Sequence, residues 1–351
     1  MKNKKYHKAP EGLHMDSFQR SNPYRMRLGG DWEMRTIVIL IMMVSFVMGA
    51  AQVVFPRPLK EGDKIAIVAP AGPVKYENVE GAVNVLTEAG YQPVVYPSVL
   101  GSMGQFSGTP EERFKDMKDA LTDPEIRAVI CARGGYGAVH LLDSLSALPL
   151  LDDPKWVVGF SDITALHGLM ASKGIASIHG PMALHISRGM EEPENAVFFR
   201  MLRGDYPEYT FEANPLNHIG TTRGKIIGGN LSVIEGLVNT PYDLIQPGTI
   251  LFIEDVAEEI YKLQRIMYRL KLAGVLDRLN GLIIGQFTEI PPGANYESIQ
   301  PMMSEILEEY PDLPVAFDIP IGHIRNNAPV IESANATLEI TPEGVRLDMR
   351  N

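Results

Sequence analysis

Apolar residues fall along this chain in two patterns: short unbroken runs, and stretches in which they recur every three or four positions. Lys64-Ile65-Ala66-Ile67-Val68-Ala69-Pro70 is of the first kind and predicts a buried strand. Val79, Val83 and Leu86 then recur at helical spacing, and Gly90 ends that helix. Pro93-Val94-Val95-Tyr96 predicts the next strand. Thr109-Pro110-Glu111-Glu112 has the parts of a helix start: a Thr cap, Pro in the first turn and Glu at the third position. Phe114, Met117 and Leu121 lie on one side of that helix. Ala128–Cys131 and Trp156–Phe160 read as a third and a fourth strand, the latter leading into a helix through Ala165, Leu166, Leu169 and Met170. Strands alternating with helices predict βαβ units and a mostly parallel sheet. The ligand crevice of such a sheet lies off the carboxyl ends of its strands, so the residues just after each strand carry the interest.

Beyond about residue 213 the pattern changes to short strands, at Gly224–Ile227, Thr249–Ile253, Leu282–Gln286 and Val315–Ile319. Ala336–Ile340 and Val345–Met349 read as a hairpin with Pro342-Glu343-Gly344 in the turn. One helix interrupts, with Val256, Ile260, Leu263, Met267 and Leu270 on one face and Gly274 after it. The expected fold class is α/β: an N-terminal parallel-sheet α/β domain over residues 59–213 and a smaller, β-rich C-terminal domain over 222–351.

The start of the chain differs from the rest. Residues 1–33 show no apolar periodicity and read as disordered, or as lying upstream of a true start at Met34. Residues 36–56 are uncharged, preceded by Arg35 and containing the small residues Gly49-Ala50-Ala51. Segment 34–56 therefore reads as a secretory signal peptide or, uncleaved, a membrane anchor that would give contact with a bilayer through 36–56. Export to the periplasm or anchoring in the membrane is the expectation, with a cytoplasmic protein as the alternative.

Charge excludes some partners. The chain of 351 residues has 32 Lys and Arg against 43 Asp and Glu, a net charge of −11, so no nucleic-acid partner is expected. Its one cysteine, Cys131, excludes an intrachain disulfide and a Cys-rich zinc site, and it reads as a core residue. His179 and His185 are six apart and lack the HExxH spacing, so no metal is expected.

Three segments carry possible chemistry. Gly159-Phe160-Ser161-Asp162-Ile163-Thr164 follows a strand and opens a helix, as in a nucleophile elbow, although the second glycine of that motif is absent. Ser161 could be a nucleophile with the Asp162 N–H aimed at a reacting carbonyl; alternatively Ser161 or Asp162 only caps the helix. Arg133-Gly134-Gly135-Tyr136-Gly137 could bring backbone N–H groups to a phosphate or an oxyanion, or could be a tight turn; it lacks the dinucleotide-binding spacing. Glu254-Asp255 and His323 follow strands in the second domain. A serine nucleophile needs a base such as histidine, and a carboxylate to orient it, but a loop histidine can equally be structural. Gly228-Gly229-Asn230 reads as an anion-binding turn or as the turn that leads into the second domain.

Taken together, GDKIAIVAPAGPV (62–74), CARGGYGA (131–138), VVGFSDITALH (157–167), HGPM (179–182), GKIIGGNLSVIEGLVNTPYD (224–243), ILFIEDVAEEIYKLQRIMYRLKLAGVL (250–276), LIIGQF (282–287) and IPIGHIRNNAPVI (319–331) resemble the LD-carboxypeptidase family of serine peptidases over residues 59–351. The resemblance implies a triad of Ser161 as nucleophile, Glu254 as acid and His323 as base, with backbone N–H groups of Gly135 and Asp162 as the oxyanion hole. It implies hydrolysis of the amide that joins an L-centre to the terminal D-alanine of a murein tetrapeptide, with no cofactor, and a homodimer. The family also holds microcin C self-immunity proteins, which cleave acyl-adenylate analogues with the same triad. A non-catalytic cell-wall peptide binder on this scaffold and a nucleotide-dependent oxidoreductase are the readings of other classes; the latter would bind NAD and would not depend on Ser161.

Overall fold

The computed structural model describes residues 52–349, so the readings for 1–33 and for all but the end of 34–56 lie outside the described residues. Val54, at that end, belongs to the fold. It bridges Ile175 in parallel, with its N–H donating to Gly174 O at 2.8 Å and its carbonyl accepting from Ala176 N at 2.9 Å. Among the described residues no helix is long and apolar enough to cross a membrane.

The described strands are, in order, β1 (Lys64–Val68), β2 (Gln92–Val95), β3 (Ile126–Cys131), β4 (Trp156–Gly159), β5 (Ser177–His179), β6 (Glu208–Glu212) and β7 (Gly220–Asn230). They continue with β8 (Thr249–Val256), β9 (Gly281–Thr288), β10 (Val315–Ala316), β11 (Val330–Glu332), β12 (Asn335–Thr341) and β13 (Gly344–Asp348). A six-stranded sheet has the order β11-β5-β4-β3-β1-β2, and a seven-stranded sheet the order β10-β9-β8-β7-β12-β13-β6. In the first, β1 to β5 are all parallel and only β11 runs against its neighbour. In the second, β7 to β10 are parallel, whereas β12, β13 and β6 are antiparallel. The fold is thus α/β with a parallel first sheet, as the alternation of runs and helical stretches predicts.

The first sheet is apolar in unbroken runs because helices cover both of its faces. Ile65, Ala66, Ile67 and Val68 are all fully buried, as are Val129, Ile130 and Cys131. The helix Pro110–Thr122 starts with the expected capping box: Thr109 Oγ1 accepts from Glu112 N at 3.2 Å, and Glu112 Oε2 accepts from Thr109 N at 2.8 Å. β1 is flanked by β2 on one side and β3 on the other, so the strand order reverses there and a crevice opens at the carboxyl ends.

Several elements differ from expectation. The helix expected from Val256 starts at Ile260 instead, and Val256 is the last residue of β8. Asp255 accounts for the break, because its carboxylate takes the Val256 N–H at 2.8 Å and the Ser232 N–H at 3.0 Å, and Ala257 then turns with φ 57°. Of Val315–Ile319, only Val315–Ala316 is strand, and Asp318, at φ 63°, turns the chain away. β5, β6 and β11 have no counterpart in the pattern reading. β6 lies in the second sheet and β11 in the first, so each sheet takes a strand from the other's stretch of sequence.

Candidate active site

β4 delivers the nucleophile candidate. Its four residues are buried, Phe160 remains extended, and Ser161 then adopts φ 64° at the start of a single 3₁₀ turn, Ser161–Ile163, that passes into the helix Thr164–Ser172. A non-glycine residue in this left-handed region is strained, and such strain collects at sites where a side chain must be aimed. Neither Ser161 nor Asp162 caps the helix through its side chain. The buried Asp162 carboxylate instead accepts the Ala138 N–H at 2.8 Å, and burial pushes its pKa up. Behind the elbow, the fully buried His167 bridges Ser177 Oγ at 2.8 Å and the Gly159 carbonyl at 2.9 Å. Burial depresses His167 to about 4, so it is neutral, and the nitrogen facing the Gly159 carbonyl carries the proton.

The Arg133–Gly137 loop lies against the serine. A Cβ placed on Gly134 would stand 2.9 Å from Ser161 Cβ and 3.1 Å from its Oγ, so only glycine lets the loop come this close. The Gly134 carbonyl accepts from Gly72 N at 3.0 Å, and Gly135 has φ 115°. Arg113 holds the loop from below. Its side chain is fully buried and donates to the carbonyls of Gly137 at 2.9 Å, Gly108 at 3.2 Å and Pro70. Nothing in the sequence marks Arg113, since an arginine on a helix normally reads as part of its solvated face.

Glu254 and His323 meet, although Glu254 lies within β8 and not after it, and the segment 319–322 before His323 is not a strand. Glu254 is fully buried near the end of β8, and its Oε2 lies 2.6 Å from His323 Nδ1. Gly322 makes this approach possible, with φ 137° and space for a Cβ only 2.9 Å from Glu254 Cβ. Asn327 Oδ1 accepts the Gly322 N–H at 2.9 Å and fixes the turn. Burial alone would lower the His323 pKa, but the hydrogen bond and charge of Glu254 outweigh it and raise the imidazole above its ordinary value. Burial in turn pushes Glu254 up, against the pull of His323. The His323 ring also stacks edge-on against Phe160, the residue before the serine, with centroids 5.0 Å apart. Ser161 Oγ makes no hydrogen bond among the described residues; such contacts commonly tighten only when substrate binds.

Two cavities open here. One, of about 420 Å³, is lined by Ser161, Asp162, Gly135, Tyr136, Asn230 and Glu258, among others. The second, of about 630 Å³, is lined by His323, Phe160, His185, Arg188, Glu289 and Arg325, and Val256 borders both. The Gly228-Gly229-Asn230 stretch is not a turn but the end of β7. Asn230 caps the next helix by accepting from Val233 N at 3.1 Å, donates to Asp255 at 2.9 Å and takes its own N–H to Thr164 Oγ1 at 3.0 Å. This ties β7 and β8 to the first turn after the serine. Cys131 is fully buried, and its thiol is pushed up by burial. His179 is fully buried between Phe160 and Phe252. Among the described residues no cluster of three or more His, Cys, Asp or Glu is placed to hold a metal ion.

Known proteins share this arrangement of sequence. The LD-carboxypeptidase N-terminal domain matches residues 65–180 and the LD-carboxypeptidase C-terminal domain matches 223–338. The murein tetrapeptide carboxypeptidase of Pseudomonas aeruginosa is 30% identical over 291 residues, 79% of this chain and 93% of that protein. The microcin C7 self-immunity protein of Escherichia coli is 25% identical over 288 residues, 72% of this chain and 83% of its own. Among solved structures, muramoyltetrapeptide carboxypeptidase from Oxalobacter formigenes superposes with a TM-score of 0.74 at 27% identity, covering 81% of this chain and 97% of that one. With both domains matched in order, and a full-length relative at this identity, the chain belongs to the LD-carboxypeptidase family.

Proposed function

We propose that this chain is a serine-type LD-carboxypeptidase that removes the terminal D-alanine from murein tetrapeptides. The observation that carries the reading is the 2.6 Å hydrogen bond between the buried Glu254 and His323, whose ring packs edge-on against Phe160, the residue before a serine held at φ 64° on a strand-to-helix elbow. In this reading His323 takes the Ser161 proton as Oγ attacks the carbonyl of the scissile amide. The N–H groups of Asp162 and Gly135 hold the oxyanion, a donor pair of which either member is worth about 3–4 kcal/mol of barrier. His323 then gives its proton to the departing amine, free D-alanine leaves, and water activated by His323 releases the tripeptide from Ser161. Glu254 keeps the imidazole in the tautomer that presents Nε2 to the serine and stabilises its charged form.

We place the protein outside the cytoplasm or on the membrane, from the 34–56 segment, and acting as a homodimer on peptide without nucleic acid. The test uses protein beginning at Gln52. Incubation with a murein tetrapeptide, followed by mass spectrometry, is expected to yield tripeptide and D-alanine, and Ser161→Ala is expected to lose on the order of 10⁶-fold in kcat. Near-normal turnover by Ser161→Ala refutes the mechanism. A folded parent that leaves the tetrapeptide intact, but cleaves an acyl-adenylate analogue, transfers the same chemistry to the second substrate class; cleavage of neither favours a peptide binder.

A further inference from the structure

The two cavities divide the candidate site into halves of different chemistry. The smaller contains Ser161 and both proposed oxyanion donors; the larger contains His323 and neither of them. A general acid that protonates a leaving amine must stand on the leaving-group side of the scissile bond. The larger cavity is therefore the room for the departing residue. In a C-terminal amino acid only the α-carbon separates the scissile amine from the free carboxylate, so the carboxylate must sit in that same cavity.

Two cations line it, and they differ in availability. Arg325 is forked onto Glu192 at 2.8 and 3.1 Å, and its side chain is 74% exposed. Arg188 makes one side-chain contact among the described residues, a 3.3 Å approach of Nη1 to Glu194 Oε1, and its side chain is 38% exposed. That contact anchors the guanidinium while leaving most of its donors open. The backbone is also fixed, with Arg188 N–H donating to His185 O at 3.1 Å and Asn195 Nδ2 bonding the adjacent carbonyls of His185 and Gly189 at 3.2 and 2.7 Å. Among the described residues one carboxylate lines the cavity, Glu289, and its charge favours the protonated form of His323.

We propose that Arg188 binds the free α-carboxylate of the departing D-amino acid and thereby makes the enzyme an exopeptidase. This rests on the reading of Ser161 and His323 given above. An arginine suits the task because its planar fork matches a carboxylate and cannot lose its charge.

The experiment compares kcat/KM for a tetrapeptide ending in D-alanine with that for the same peptide ending in D-alanine amide, in the parent, Arg188→Ala, Arg188→Lys and Arg325→Ala. The parent is expected to prefer the free acid. Arg188→Ala is expected to lose roughly ten- to a hundredfold on the acid and little on the amide, so that the preference collapses. Arg188→Lys should recover part of it, and Arg325→Ala should leave it unchanged. Retained amide cleavage shows that the variant is folded. An Arg188→Ala enzyme that keeps the parental acid-to-amide ratio overturns the inference while leaving the hydrolase reading intact. A parent that cleaves neither peptide overturns both.

Discussion

Gly134→Ala tests whether the Arg133–Gly137 loop positions Ser161 by direct contact. The added methyl would stand 2.9 Å from Ser161 Cβ, 3.1 Å from its Oγ and 3.4 Å from the Phe160 carbonyl. Carbon atoms settle at about 3.5–4.0 Å, so the methyl and the serine must separate by roughly 0.5 Å or more. Gly134 is not among the residues with positive φ, so alanine meets no left-handed strain and the contact with the serine is what the substitution tests. The loop cannot easily yield, because Arg113 holds it from below and the Gly134 carbonyl is engaged by Gly72 N at 3.0 Å. Ser161 is therefore the side that moves. A misplacement approaching 1 Å at a reacting atom costs about 10²-fold, or roughly 2.7 kcal/mol of barrier. Overpacking itself costs about 1–3 kcal/mol of stability. Steady-state release of D-alanine, labelling of Ser161 by a fluorophosphonate and thermal unfolding separate these effects. Both rates should fall by about two orders of magnitude while the protein still unfolds cooperatively. Parental labelling and turnover in a folded Gly134→Ala protein would refute the contact as a positioning device.

Two further predictions concern ionisation. Glu254 raises the His323 pKa, and only the neutral imidazole can take the serine proton, so the acid limb of kcat/KM should lie above the ordinary histidine value of about 6.5. In Glu254→Gln the limb should move to lower pH and kcat should drop by on the order of 10⁴; a limb that stays in place contradicts the assignment. Glu332 is fully buried, with Oε2 accepting from Gly228 N at 3.0 Å, Oε1 without a hydrogen-bond partner among the described residues and a pKa pushed well above the usual carboxylate range by burial. Because its folded pKa is raised, its contribution to stability is greatest below the ordinary value of about 4.3 and declines as pH rises from there. Glu332→Gln keeps an acceptor for Gly228 but removes the titration, so its Tm should exceed the parent's at about pH 8 and the gain should shrink towards about pH 5. A Tm difference independent of pH would show that Glu332 does not titrate in the way its burial implies.

What could be read from the chain, and what could not, follows from the range of the forces involved. Ser161, Glu254 and His323 follow apolar runs, which is what directs attention to them: Ser161 comes just after β4 and Glu254 lies near the end of β8, whereas the run before His323 is an irregular segment beyond β10 and not a strand. The capping box at Thr109 is equally local and is present as written. Val256 shows where local reading fails. It fits the period of the helix that follows, but the Asp255 carboxylate captures its N–H, and the partners that hold Asp255 in that position, Asn230 and Ser232, come from β7 and the helix after it. Periodicity counts apolar positions and cannot register a side chain competing for the backbone. Arg113 fails in the opposite sense. Its burial is stabilised by the carbonyls of Pro70, Gly108 and Gly137, brought together only once β1 and β3 are adjacent, so on its own helix it looks like any solvated charge. The strand exchange between the sheets belongs to the same class. β11 is three residues long and pairs with β5 from more than a hundred residues away, so its existence depends on the edge it meets and not on its own sequence. The proposed reacting groups are thus set by local sequence, whereas their rigidity comes from partners that only the assembled sheets supply. Substitutions at Arg113 should for that reason disturb the geometry around Ser161 without touching a reacting atom.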